Sequence, residues 1–322
     1  MSNERAVAVG SDGGTIATIT VTYNPDLDIL LRQQQQLTMA AVRYLVDNAS
    51  AAHSQRKLGE VAAASRSDLR MLPTNIGLAA AINIGLRLVR EEHPNVTAIL
   101  LMDQDTEPGP DGLVSLGRAY DALRKRFGSE IALNPALIDS ETGLSHGFHT
   151  IRGLRWARIR RLDDNPEPVM CASLNCSGTL ASVETFDRIG GMDESFFLDM
   201  LDAEWSFRAA ANGVRLLGVP ATHFIHRMGQ RSLRVWLFGW RVIPYRSPWR
   251  NRLVVRNTLR LIGRRHAPAV WKLWAVPKLL LTMVAHGLFD RNRGTQLGAI
   301  LRGMGDAMLG RPVVPPARGV TN

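Results

Sequence analysis

Asp103 and Asp105 stand one residue apart at the end of an apolar run, Ile99-Leu100-Leu101-Met102, with Pro108 and Gly109 just beyond. Side chains on an extended backbone repeat every second residue, so both carboxylates leave the strand on one side. Two oxygens in that spacing suit a divalent cation, which takes one or two protein carboxylates and fills its other positions with water and substrate phosphate. Acidic residues also close strands simply as turn formers, and the pair alone leaves both readings open. A second acidic cluster, Asp199-Met200-Leu201-Asp202-Ala203-Glu204-Trp205, sits where a helix begins. A carboxylate held there and facing a pocket can take a proton from an attacking hydroxyl. The same residues can equally do no more than oppose the helix dipole. His223 and His226 follow a strand over 214–219. Their spacing does not put both rings on one face, which argues against a two-histidine zinc site, but one of them can reach the Asp105 cation or a diphosphate.

These residues need a frame to meet in, and the sequence predicts one. The β-branched stretch Thr15 to Tyr23 reads as a buried first strand, followed by a helix opened by Pro25-Asp26 and running to about Met39. Ala41 to Val46 is the second strand, ending at Asp47-Asn48, and a short third strand lies around Leu69 to Leu72. Asn75-Ile76-Gly77 leads into an Ala-rich helix ending near Arg90, and the strand carrying Asp103 and Asp105 follows. A helix from Pro110 to Phe127, a strand from Ile131 to Asn134, a strand from Val169 to Ser177, and a short helix from Val183 to Ile189 complete the pattern. Residues 136–168, rich in arginine (Arg152, Arg155, Arg158, Arg160, Arg161), read as a loop over the site with no assigned role. Strands alternating with helices at these spacings give an α/β fold with a mostly parallel, doubly wound sheet. Its strand ends are where ligands bind.

Composition bounds the rest. The 322 residues are 45% hydrophobic, ample for a core, and only Cys171 and Cys176 are available, too few for a disulfide framework or a four-cysteine zinc site. A reduced, cytoplasmic compartment is the expectation. Residues 1–14 lack the apolar core of a secretory signal and read as a flexible tail. The net charge of +10 is unevenly distributed: residues 227–322 carry 18 Lys/Arg against two acids, a net of +16, whereas residues 1–226 carry a net of −6. Five of the seven tryptophans share the basic segment. Its apolar runs, around 235–238 and 279–289, are too short and interrupted to span a bilayer, which needs about 18 to 20 residues. Arginines among Trp and Leu instead suit helices lying on an anionic membrane surface, or a solvated helical bundle. The boundary is set near residue 230, with a basic helical segment over 231–322.

The phrases Val21-Thr22-Tyr23-Asn24-Pro25, Val46-Asp47-Asn48-Ala49-Ser50, Asn75-Ile76-Gly77, Met102-Asp103-Gln104-Asp105, Ser177-Gly178, Ile189-Gly190-Gly191-Met192-Asp193-Glu194, Phe197 to Trp205, and His226-Arg227-Met228-Gly229 occur in this order. Together they make residues 15–229 resemble a family-two glycosyltransferase of the GT-A fold. The D-Q-D and D-x-E-W phrases are most similar to those of bacterial rhamnosyltransferases that build surface polysaccharides. The resemblance implies a Rossmann-like GT-A domain over 15–230. It places Thr22, Tyr23 and Asp47, with Asn75 nearby, around the nucleotide. It implies Mg²⁺ or Mn²⁺ on Asp103 and Asp105, with Asp105 the direct ligand to the cation on the donor diphosphate, His226 near that diphosphate, and Asp202 as the catalytic base. Relatives often carry a further carboxylate just before the base, where this chain has Leu201.

The implied activity is inverting transfer of L-rhamnose from dTDP-rhamnose to a hydroxyl of a lipid-linked or saccharide acceptor. An anionic membrane surface is an expected partner, at the inner face of the cytoplasmic membrane. Other readings are a UDP-hexose or UDP-galactofuranose donor, a nucleotidyltransferase releasing pyrophosphate, and a non-catalytic sugar-binding relative. A nucleic-acid-binding protein could use the +16 segment, but it would leave the acidic motifs unexplained and no recognition motif is present.

Overall fold

The computed structural model describes residues 15–160, 167–227, 232–236, 240–244, 246–290 and 292–312, with backbone alone at 232–236, 240–244 and 288–289. The expected tail 1–14, together with Arg161, Met228, Gly229 and the end of the apolar run 235–238, lies outside the described residues.

Strands β1 (Ile16–Thr22), β2 (Val42–Asp47), β3 (Asp68–Met71) and β4 (Ala98–Asp103) alternate with helices α1 (Leu27–Gln36), α2 (Ala52–Ser65) and α3 (Leu78–Glu92). The four strands pair in parallel in the order β3-β2-β1-β4. After β5 (Thr106–Glu107) and α4 (Gly112–Phe127), β6 (Ile131–Asp139), β9 (Val169–Met170), β10 (Leu180–Ser182) and β11 (Arg215–His226) complete a nine-stranded mixed sheet. Within it β10 runs antiparallel between β4 and β6, and β11 lies parallel to β6. Both faces are covered, which is why β4 reads as an apolar run up to Asp103 and every residue of the β-branched β1 is buried. Ala17, Ile19, Val21, Ile99 and Leu101 face a core shared with α3, α5 (Val183–Ile189) and α6 (Leu201–Ala211), whereas Ile16, Leu100 and Met102 face Leu113, Leu116 and Tyr120 of α4.

Several elements differ from expectation for identifiable reasons. Helix α2 has no side-chain cap, has Gly59 in its interior and buries only Leu58 and Val61 among large apolar residues, so its helical pattern is faint. Helix α1 is capped by Asp26, leaving Pro25 outside it. The stretch expected as a loop over the site folds in part as a hairpin, β7 (Phe148–Arg152) and β8 (Arg155–Ile159). His149 stacks on Trp156, whose edge meets Phe207 of α6. The strand expected over 169–177 is reduced to β9, because the buried Asn134 side chain donates to the carbonyls of Asn175 and Ser177 and draws that backbone into a turn.

The carboxyl-terminal segment, expected as helical, opens on an antiparallel pair of strands, β12 (Ser232–Trp236) and β13 (Trp240–Pro244), whose register sets Leu233 opposite Ile243 and Trp236 opposite Trp240. Helices α7 (Pro248–Gly263), α8 (Ala269–Phe289) and α9 (Arg293–Met308) follow. Leu261, Ala267, Trp271 and Ala275 are buried in the same core as α3 and α6. Among the described residues no helix is long and apolar enough to cross a membrane.

Candidate active site at the carboxyl edge of the sheet

Strand register brings the predicted residues to one edge: Thr22 is level with Asp47, and Val21 with Asp103. The turn after β4 is held by groups beneath it. Buried Gln33 of α1 donates its amide to the carbonyls of Asp103 and Thr106, at 2.6 Å each, and accepts from Thr20 Oγ1. Ser177 Oγ accepts from the Asp103 N–H and donates to Thr106 Oγ1, which in turn lies 2.7 Å from His226 Nδ1. Antiparallel pairing of Thr106 with His226 sets the imidazole beside the turn, 3.5 Å from Asp105 Oδ1.

Asp103, Asp105 and His226 each offer a ligand atom, all within 4.8 Å of one another. The Thr106 hydroxyl beside Nδ1 orients the imidazole, as a second partner usually does for a ligating histidine. Burial first, then Asp105 and Asp202, push the Asp103 carboxyl up to about 6, with His226 opposing them. Crowded anions of this kind are relieved by a divalent cation, and two carboxylates with one imidazole are a donor set that such an ion accepts. The residues therefore fit a divalent metal.

Asp202 sits in the first turn of α6 and accepts from the Ala203 N–H at 2.8 Å. Its surroundings push its carboxyl up to about 6, chiefly by desolvation and then through Asp199, against backbone N–H groups of Ala203, Asp202 and Cys176. Asp202 also raises Asp103, so the two acidic clusters lie within electrostatic reach of each other. The rest of the D-x-E-W phrase anchors the helix. Buried Glu204 binds Arg208, whose guanidinium also donates to the Ile189 and Gly191 carbonyls, and Trp205 Nε1 donates to the Gly190 carbonyl.

The loop leading into α6 is strained. Phe197 has φ 58° and ψ −59°, with the Leu198 N–H on the Phe196 carbonyl at 2.6 Å, a γ-turn of the rare positive-φ kind, and Met200 has φ 72°. Each such residue costs on the order of 1–3 kcal/mol and persists only when neighbours over-determine it. Here they do. Fully buried Asn257 of α7 donates to the carbonyls of Phe196 and Asp199, Arg256 donates to Ser195, and the Leu78 N–H binds the Phe197 carbonyl. The Gly77 backbone lies so close that an added Cβ would stand 2.6 Å from the Phe197 ring.

On the nucleotide side, Thr22 and Asp47 come together but neither has exposed surface. The Asp47 carboxylate is filled by Thr22 Oγ1, the Ser50 N–H and hydroxyl, and Gln55, so these two residues form the floor of the edge. Tyr23, at 46% exposure, and half-buried Asn75 present surface to the pocket edge. Gln104, between the two aspartates, receives the Tyr23 N–H at 2.7 Å and returns its amide to the Tyr23 carbonyl. Asn48 links Asn75 and the Ile76 N–H. Some of these unforeseen residues carry a signal in the chain itself: Gln33 and Gln34 occupy positions on α1 where apolar residues belong, and Gln104 is framed by aspartates. For Asn257, 55 residues beyond the base, there was no local signal.

The fold recurs in known proteins. The GalNAc-T7 structure with UDP, GalNAc and Mn²⁺ aligns with a TM-score of 0.52 at 14% identity, over 88% of this chain and 59% of that one. Staphylococcus aureus TarS aligns at 0.51 and 13% identity, over 92% and 49%. The chain thus spans only half to three-fifths of those structures. No family model matches it. The architecture is that of GT-A glycosyltransferases, and the chain is a glycosyltransferase. Its sequence is similar to those of rhamnosyltransferases. The dTDP-rhamnosyl transferase RfbF of Shigella flexneri is 27% identical over 259 residues, 79% of this chain and 81% of that protein. The N-acetylglucosaminyl-diphospho-decaprenol L-rhamnosyltransferase of Mycobacterium tuberculosis is 24% identical, over 78% of this chain and 96% of that protein.

Proposed function

We propose that the protein transfers L-rhamnose from dTDP-rhamnose to a hydroxyl of a lipid-linked acceptor, with inversion at the anomeric carbon. The observation that carries the reading is the pairing of a metal-ligand cluster, Asp103, Asp105 and His226, with a separate carboxylate, Asp202, within electrostatic reach of it. The names of the similar curated proteins supply the sugar and the acceptor class. Asp202 accepts the proton of the acceptor hydroxyl as that oxygen forms its bond to the anomeric carbon and the bond to the departing diphosphate breaks. Asp103, Asp105 and His226 hold a Mg²⁺ or Mn²⁺. That ion, when bound, offsets the charge that grows on the diphosphate. Tyr23 and Asn75 line the nucleotide over the floor of Thr22 and Asp47, and Gln104 fixes the Tyr23 backbone.

The setting we propose is the inner face of the cytoplasmic membrane. The +16 segment supplies attraction to anionic lipid, and Leu273, Val276, Leu280 and Val284 form an exposed apolar stripe along α8. In this division residues 15–230 carry the donor site and base, and residues 231–322 brace them and meet the acceptor. The test is a thermal-shift screen of nucleotide sugars with Mg²⁺ or Mn²⁺. dTDP-rhamnose should stabilise best; a UDP-hexose that wins clearly while dTDP compounds do nothing would sink the rhamnosyl assignment.

A further inference from the structure

Helices α7, α8 and α9 border a concave pocket. Val254, Trp271, Trp274, Leu279 and Ile300 make its apolar walls, and Arg246 and Lys278 bring positive charge to its lining. Met200, two residues before Asp202, lines it as well, so the pocket adjoins the loop that carries the base.

The charges are unbalanced. Arg250 gives both sides of its guanidinium fork to Asp199. Among the described residues, by contrast, neither Arg246 nor Lys278 has a carboxylate within ion-pair distance. The Lys278 ammonium rests 4.3 Å over the Trp274 ring. Lys278 stands exposed at the rim; partial desolvation by the surrounding protein, then Arg246 and Arg158, draw its pKa down to about 8. Like charges held near one another repel, and an anion taken between them relieves that repulsion and gains charge-assisted hydrogen bonds. The walls around them suit hydrocarbon. Beside the pocket, the exposed stripe of α8 continues the apolar surface outward.

We infer that this pocket is the subsite for the lipid phosphate of the acceptor: Arg246 and Lys278 take the phosphate or diphosphate that joins sugar to lipid, and Trp271, Trp274 and Leu279 take the first units of its isoprenoid or alkyl chain. The inference rests on the glycosyl-transfer reading, because a sugar hanging from that phosphate reaches past Met200 to Asp202.

The experiment is a fluorescence titration of the full chain in EDTA, so that the cation cluster cannot recruit the probe. Farnesyl diphosphate, farnesol and inorganic diphosphate are compared, with Trp271 and Trp274 as reporters. Farnesyl diphosphate should bind at least about tenfold more tightly than either fragment, and Arg246→Gln with Lys278→Gln should weaken it by about tenfold or more. Equal binding of inorganic diphosphate, or an affinity indifferent to both substitutions, would overturn the inference. The same variants are titrated with nucleotide sugar and Mn²⁺ and should bind it as the parent does. If the parent consumes no nucleotide sugar with any acceptor, glycosyl transfer fails separately, and the farnesyl diphosphate titration still decides the pocket.

Discussion

If Asp202 is the base, the rate of transfer must follow its ionisation. Its carboxyl is pushed from 3.8 to about 6, so its basic form is about nine-tenths populated at pH 7 and about one-tenth at pH 5. The raised value means that catalytic competence is lost as pH falls through about 6, and kcat/KM should drop about tenfold between pH 7 and pH 5. An aspartate at its ordinary value would lose almost nothing over that interval. Asp103 is also pushed up to about 6, so the profile is measured at saturating Mn²⁺, where the cation holds that carboxylate ionised. Asp202→Asn keeps the shape and removes the proton acceptor. It should cost about 10² to 10⁴ in turnover, roughly 3 to 5 kcal/mol of barrier, with donor affinity retained, and its residual activity should have no acid limb. The assay is release of nucleoside diphosphate across pH 4.5 to 8 in parent and variant. A parent profile flat to pH 4.5, or near-normal turnover in the variant, would refute the assignment.

Four further outcomes are expected. Asp105→Asn should abolish the cation dependence of donor binding while leaving the melting temperature near that of the parent; unchanged metal affinity by calorimetry would exclude the site. Gln104→Ala removes both bonds to the Tyr23 backbone, so the donor KM should rise several-fold at about 1 kcal/mol per bond, and an unchanged KM would show that Tyr23 needs no such support. Asn257→Ala strands the Phe196 and Asp199 carbonyls and should lower stability by about 1–3 kcal/mol; it should also cut turnover more than donor affinity, whereas an equal loss in both would mean general loosening. Finally, a carboxyl group whose native value is raised costs stability once ionised, a cost absent below its unfolded value of 3.8 and fully present above about 6. Without divalent cation, Asp202→Asn should therefore melt higher than the parent at pH 7.5, with the gap closing towards pH 4; a variant melting lower at pH 7.5 would contradict the electrostatics.

What the sequence made legible was whatever one stretch of chain declares by itself. The strand ending at Asp103, the edge at Asp47 and the helix beginning near Asp202 were all visible because buried runs stop at charged residues, and the structure gathers their ends at one edge. The supports were not visible because their partners are distant in sequence. Gln33 reaches 70 residues forward to Asp103, Asn134 crosses to Asn175, and Asn257 reaches back 58 and 61 residues to the loop before the base. The antiparallel β10 is only three residues long, and its place between β4 and β6 is a matter of topology rather than pattern. Thr22 and Asp47 show a finer distinction: motif position foretold that they lie together at the carboxyl edge of the sheet but not that their polar groups turn inward.

The clamp from α7 also orders events during synthesis. A ribosome releases residues 15–211, with every predicted donor-site residue except His226 and with the base itself, well before Asn257 and Trp271 emerge. Until those two arrive, the strain at Phe197 and Met200 lacks the bonds from Asn257, and the core beside α6 lacks Leu261, Ala267, Trp271 and Ala275. Domains begin folding from their amino-terminal side as they emerge, so the sheet can assemble early while the base has no fixed position. The sheet that carries Asp103 and Asp105 is thus complete in sequence before the helix that fixes the approach to Asp202 has been made.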